Sequence, residues 1–230
     1  NTWKSHSNMT TERRGLGITS FYDNLYAFGD RSHDTFEYSD PWRPNWTLGN
    51  KSLPHEHGYD STCLVKIAQD MIIYSGGECY TGHCARNYVV AYTRTTNTFS
   101  EVPPLIHSRA YHNCVYLEKP DLNLNGVLVT GGSYADEGMS STEFFDLQTQ
   151  EWRELGSLNT GRMDAVMAFI GDDLKIMGGY YRDDWTGDYV RLTSVEKFSF
   201  ESLRWETTEE NLFESTSGDR LALVPRSMFP

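Results

Sequence analysis

Short apolar runs that stop on a glycine pair recur along the chain: Met71 to Ser75 before Gly76 and Gly77, Val127 to Thr130 before Gly131 and Gly132, and Leu174 to Met177 before Gly178 and Gly179. Runs this short are poor helices, and their abrupt end on glycine predicts a buried strand followed by a sharp turn. Two adjacent glycines supply positive φ without a Cβ, so another backbone can pass close by. A second beat follows each pair: a hydroxyl or acidic residue, an aromatic, a polar turn and a large aromatic. Phe99, Trp152 and Trp205 follow one another at 53-residue intervals, and the same step backwards from Phe99 reaches Trp46. Tyr92, Phe145 and Phe198 each stand seven residues before their large aromatic, and Tyr38 stands eight before Trp46. In the first copy the glycine pair is reduced to Gly29. Arg109, Arg162 and Arg220 then precede a new apolar strand. Each period therefore holds four short strands, and self-similarity at a fixed period marks a repeat architecture.

The double glycine, the following strand with its aromatic, the large aromatic beyond it and the arginine that opens the next unit resemble the kelch repeat. The resemblance covers essentially the whole chain. It implies an all-β fold, a kelch-type β-propeller of four-stranded antiparallel blades packed face to face around an axis. The expected repeats span about 14–57, 58–108, 109–161 and 162–219, with partial blade strands over 1–13 and 220–230. Kelch propellers usually have about six blades, so the resemblance implies one domain that lacks N-terminal sequence; a five-part ring with one incomplete blade is the alternative. Trp46, Phe99, Trp152 and Trp205 are expected to fill the space between neighbouring blades, each burying roughly 150 to 250 Å².

Charge narrows the partners. A formal net charge of −12 repels phosphates, and no Lys/Arg run reverses it locally, which argues against nucleic acid. No stretch approaches the roughly 20 apolar residues of a membrane-spanning helix, so no membrane insertion is expected. Cys79 and Cys84 bracket a short glycine-containing loop, in which a disulfide, free thiols or a metal clip with His83 are the open readings. Cys63 and Cys114 are read as equivalent repeat positions, taken by Met167 in the next repeat, and so as small apolar core sites. A bond between them requires neighbouring blades to bring their Cα atoms within about 7 Å. Sequons at Asn8, Asn45 and Asn50 fall on or just beyond the last strand of a unit, which faces solvent in a propeller. With the loop cysteines they point to a secreted, glycosylated protein; a cytoplasmic location is the alternative.

Candidate chemistry is thin. His55, Glu56 and His57 fit a solvated linker, and Asp183, Asp184 and Asp188 lack the regular spacing of a calcium loop. No nucleophile elbow or phosphate-cradling loop occurs, and no cofactor or metal is expected. An oxidase on the same scaffold would need Tyr, Cys and His ligands from several loops, whereas Tyr111, His112 and Cys114 share one strand. The loops after the glycine pairs differ in length and are rich in Tyr, Asp and Arg, which suits recognition on a rigid frame. Tyr80, His83, Arg86, Tyr134, Tyr180, Tyr181 and Trp185 are the candidate contacts. The sequence thus predicts a non-catalytic module for a protein or glycan partner, possible also as part of a larger chain or assembly. The first alternative is the substrate-recognition propeller of an intracellular kelch-like ubiquitin-ligase adaptor, and the second is an oxidase-type enzyme on the same scaffold.

Overall fold

The computed structural model describes residues 7–215 except 14, 22–23, 30–33, 41–42, 55–60, 68–69 and 79–84. Sixteen of its strands form four four-stranded antiparallel sheets, and among the described residues there is no α-helix. Sheet I holds β1 (Gly17–Phe21), β2 (Asn24–Phe28), β3 (Thr35–Asp40) and β4 (Arg43–Ser52). Sheet II holds β5 (Cys63–Ile67), β6 (Met71–Ser75), β7 (Val89–Thr93) and β8 (Thr98–Val102). Sheet III begins with β9 (Asn113–Lys119) and β10 (Leu124–Thr130), passes through a small hairpin of β11 (Ser133–Tyr134) and β12 (Glu137–Gly138), and ends with β13 (Thr142–Asp146) and β14 (Glu151–Leu155). Sheet IV repeats this plan: β15 (Val166–Ile170), β16 (Asp173–Met177), the hairpin β17 (Tyr180–Arg182) and β18 (Tyr189–Arg191), then β19 (Ser194–Ser199) and β20 (Arg204–Asn211).

The first strands lie side by side, β1 next to β5, β5 next to β9 and β9 next to β15, so the sheets stand face to face as blades about a common axis. Because strand side chains alternate, consecutive residues of one strand feed two different cores. Val127 and Val129 join Ile73 and Phe145 between blades II and III, while Leu128 joins Leu174 and Phe198 between blades III and IV. Between blades I and II the core is aromatic, with Phe28 stacked on Phe36 at 5.1 Å and Tyr92 against both. Each buried aliphatic or aromatic side chain contributes roughly 1.5–3 kcal/mol, none of which an isolated blade would realise in full.

Three of the four large aromatics occupy these seams, while Trp46 of blade I donates to the Ser7 carbonyl on the other face of its sheet. Trp205 is buried against Phe198 and its indole N–H donates to the Thr142 hydroxyl of blade III. Trp152 packs on Phe145, directly opposite it in the β13–β14 register, and donates to the Pro103 carbonyl. Phe99 lies opposite Tyr92. In blade I the register differs from the sequence expectation: Ser39, not Tyr38, faces Trp46, and Tyr38 points to the opposite side, stacking on Tyr26 at 5.6 Å.

Two expectations about cysteine need correction or fall outside the structure. Cys63 and Cys114 are not equivalent apolar sites; they form a disulfide with Cα atoms 5.8 Å apart. Cys63 pairs with Ser75, immediately before a glycine pair, whereas Cys114 pairs with Val129, one position earlier than the matching Thr130. That one-residue offset flips one side chain to the opposite face. The two sulfurs, which the equivalence would have turned the same way, therefore face each other across the seam between blades II and III. Cys79 and Cys84 lie outside the described residues, as do His55, Glu56, His57, Arg220, residues 1–6 of the expected partial strand over 1–13, and the expected partial strand over 220–230.

Candidate binding face

The glycine pairs build one end of the molecule. Gly76 and Gly131 have φ of 64° and 67°, and a Cβ on either would come within 2.4 and 2.7 Å of the carbonyls of Arg109 and Arg162 in the next blade. A Cβ on Gly132 or Gly179 would instead meet the Ala110 or Met163 carbonyl of its own blade at 2.6 Å. Only a residue without a side chain fits between these two backbones. The closeness serves hydrogen bonding, since the Gly77 and Gly132 N–H groups donate to the Arg109 and Arg162 carbonyls across the seams.

Directly beside the pairs sits a buried arginine clamp that recurs in three blades. Arg109 donates to the Gly131 and Ser141 carbonyls, to the Ser141 hydroxyl and, at 2.6 Å, to Glu143. Arg162 makes the same set with Gly178, Ser194 and Glu196, and Arg13 makes it with Gly29, Thr35 and Glu37. All three ion pairs are fully or almost fully buried. Each glutamate also accepts two consecutive backbone N–H groups from the segment leading into its blade: Thr10 and Thr11, Ile106 and His107, Asn159 and Thr160. Burial pushes the Glu37 carboxyl upward, but the hydrogen bonds from Thr10 and Arg13 prevail and hold it below its ordinary range. Blade II has Val90 in the glutamate position, and there Arg86 lies over the Tyr88 ring at 5.4 Å.

The clamp pins the base of each loop, joining the end of the second strand to the start of the third. In blades III and IV the loop rises from it as a hairpin. The hairpins neighbour each other, β12 beside β17, with the Gly138 Cα facing the Tyr181 side chain. At the tip of the blade IV hairpin Asp183 accepts the Trp185 and Thr186 N–H groups, and the Asp183 carbonyl accepts from Gly187. This closed turn holds Trp185 out in solvent at 96% exposure, while Tyr134 and Tyr189 are 55% and 59% exposed. Tyr180 is half-buried, with Tyr189 edge-on to its ring at 5.5 Å and Asp164 accepting from its hydroxyl. Burial, then the Asp164 charge, pushes the Tyr180 phenol up to about 12. Tyr111 donates to Glu78 nearby.

Of the sequence-derived contacts, the structure puts Tyr134, Tyr180, Tyr181 and Trp185 on these two adjoining hairpins and Arg86 at the foot of the blade II loop, and Tyr80 and His83 lie outside the described residues. An oxidase-like set from Tyr111, His112 and Cys114 does not form. Cys114 is in the disulfide, and His112 is buried with Nε2 3.0 Å from the Ser75 hydroxyl. Burial, followed by the Arg109 charge, drives the His112 imidazole down to about 3, so it is neutral at physiological pH. Among the described residues no three His, Cys, Asp or Glu side chains are grouped to hold a metal.

No protein-family model matches the chain. It is 24% identical to kelch-like protein 36 of Mus musculus over 97% of its own length and 36% of that protein, and 26% identical to kelch-like protein 23 of Pongo abelii over 74% and 27%. The chain thus spans about a third of the length of these relatives. A solved structure, that of YjhT, superposes on 92% of the chain and 69% of its own with a TM-score of 0.72 at 16% identity. The chain is built of kelch-repeat propeller blades. In kelch terms, the clamp arginine opens three of the four units and its glutamate lies on the third strand. The hairpins are the connections between second and third strands. A RING finger domain and kelch repeat-containing protein of Dictyostelium discoideum is also similar, at 24% identity over 84% of the chain and 17% of that protein.

Proposed function

We propose that the chain is a non-catalytic recognition module that holds a protein or glycan partner against its hairpin face, working outside the cell. The observation that carries this reading is the pairing of exposed aromatics with buried anchorage: Trp185 stands 96% exposed on a turn whose base is fixed by the Arg162–Glu196 pair. Large rigid side chains presented by a pre-organised loop lose little entropy on binding. The Cys63–Cys114 disulfide supports an oxidising compartment, and Asn8, Asn45 and Asn50 are all exposed and open to glycosylation. The test is capture by a photo-crosslinking residue at position 185 compared with one at position 170, at the far end of β15. Partner adducts at 185 and none at 170 are expected; adducts at 170 alone would place recognition elsewhere.

A second reading follows from the relatives, whose names pair kelch repeats with a RING finger in one case. In that reading the chain is the recognition propeller of an intracellular adaptor. Trapping thiols in cells before lysis separates the two. Outside the cell Cys63 and Cys114 resist alkylation until reduced and the sequons carry glycans, whereas in the cytosol both cysteines alkylate at once.

A further inference from the structure

The hairpins carry an unbalanced set of charges around their aromatics. The segments 133–138 and 180–191 contain Asp136, Glu137, Asp183, Asp184 and Asp188 against Arg182 and Arg191. Asp183 is engaged in its own turn, and Arg182 donates to the Gly187 carbonyl of the same hairpin. Among the described residues the carboxylates of Asp136, Glu137, Asp184 and Asp188 have no side-chain or backbone donor, and all four residues are exposed. A shallow groove lined by Ile106, His107, Tyr134 and Glu137 runs beside the blade III hairpin. An exposed indole or phenol face attracts a cation through its quadrupole, and a neighbouring carboxylate adds to the same preference. Aromatic platforms with unpaired carboxylates around them suit lysine and arginine side chains and repel acidic ones.

Resting on the recognition reading above, we infer that the hairpin face takes a basic segment of a protein, with Trp185, Tyr134 and Tyr189 stacking on its lysine or arginine side chains. The probe is a fluorescein-labelled peptide of repeated Gly-Ser-Arg, compared with the same length of Gly-Ser-Glu, followed by fluorescence anisotropy. The arginine peptide is expected to bind, to weaken as salt shortens the Debye length below about 8 Å, and to lose about tenfold in affinity in the triple variant Asp136→Asn, Asp184→Asn, Asp188→Asn. Trp185→Ala is expected to weaken it too. A control triple variant with the same charge change on and beside β20, Glu201→Gln, Glu206→Gln, Glu209→Gln, is expected to bind as the parent does. The inference is overturned if the arginine peptide does not bind, if the glutamate peptide binds equally, or if both triple variants lose affinity alike, since that would be the diffuse field of a chain of charge −12. Crosslinks from position 185 to an acidic partner segment would overturn this inference and leave the recognition reading standing; no capture at 185 would remove both.

Discussion

Glu143 takes two backbone N–H groups and a guanidinium with no solvent in reach. Removing one member of such a buried pair leaves the other charge desolvated and unmatched, at a typical cost of about 3–5 kcal/mol. Glu143→Gln is therefore expected to lower unfolding free energy by that order in a urea titration, and Glu196→Gln to do the same one blade on. Blade II, with Tyr59 and Val90 at the corresponding places in sequence, shows that both members can be replaced together. A double-mutant cycle of Arg109→Tyr and Glu143→Val should accordingly lose less than the two single changes added. The acidic residue ahead of the aromatic was legible as part of the repeat but its pairing was not, because Glu on a strand that alternates with aromatics reads as the solvent side, and the arginines stand 34 residues earlier in blades III and IV but 24 earlier in blade I. Their joint absence from blade II was the available signal. His112 gives the residue-scale pH dependence. Its folded pKa of about 3 lies below the unfolded value near 6.5, so the unfolded chain binds the extra proton between these limits and stability falls as pH drops below 6.5, by about 1.4 kcal/mol per unit. Unfolding titrations at descending pH should show a shallower slope in His112→Gln than in the parent.

Among the elements, the second strand and its glycine pair were plain in the sequence because the constraint is local: an apolar run, then two residues without Cβ. Gly132 shows the cost of breaking it. With φ of 99° and the Ala110 carbonyl 2.6 Å from where a Cβ would sit, Gly132→Ala is expected to destabilise by more than about 1 kcal/mol in thermal denaturation. The Cys63–Cys114 disulfide was legible only as a conditional possibility, for a different reason. Repeat alignment fixes period but not single-residue phase, and the face on which a strand side chain lies depends on that phase. Cys63 and Cys114 are 51 residues apart, and closing a loop of that size removes chain entropy from the unfolded state worth about 4 kcal/mol. Cys63→Ser should therefore lose stability only against the oxidised parent. In the presence of reductant the two proteins should unfold together. The hairpins were legible as variable loops but not as neighbours, since loops of unequal length carry no register from which their contacts could be read.

At the scale of the whole molecule the blades are tied by more than their cores. Gly15, Ser61, Tyr111 and Asp164 stand two residues before successive inner strands, all with positive φ, and the last three each donate a backbone N–H to the carbonyl of the one before, at 3.0, 2.8 and 3.1 Å. This blade-to-blade relay sets the mouth of the axis and the spacing of the loops above it, and with it the face on which recognition is proposed. It also makes the blades one cooperative unit, because no inner strand can tilt without breaking a bond to its neighbour. Amide hydrogen exchange resolved at Ser61, Tyr111 and Asp164 tests this most directly. The account predicts that these three amides exchange as slowly as those of β6, β10 and β16; exchange at the rate of exposed loops, with the strands still protected, would mean that the blades stand independently and would contradict it.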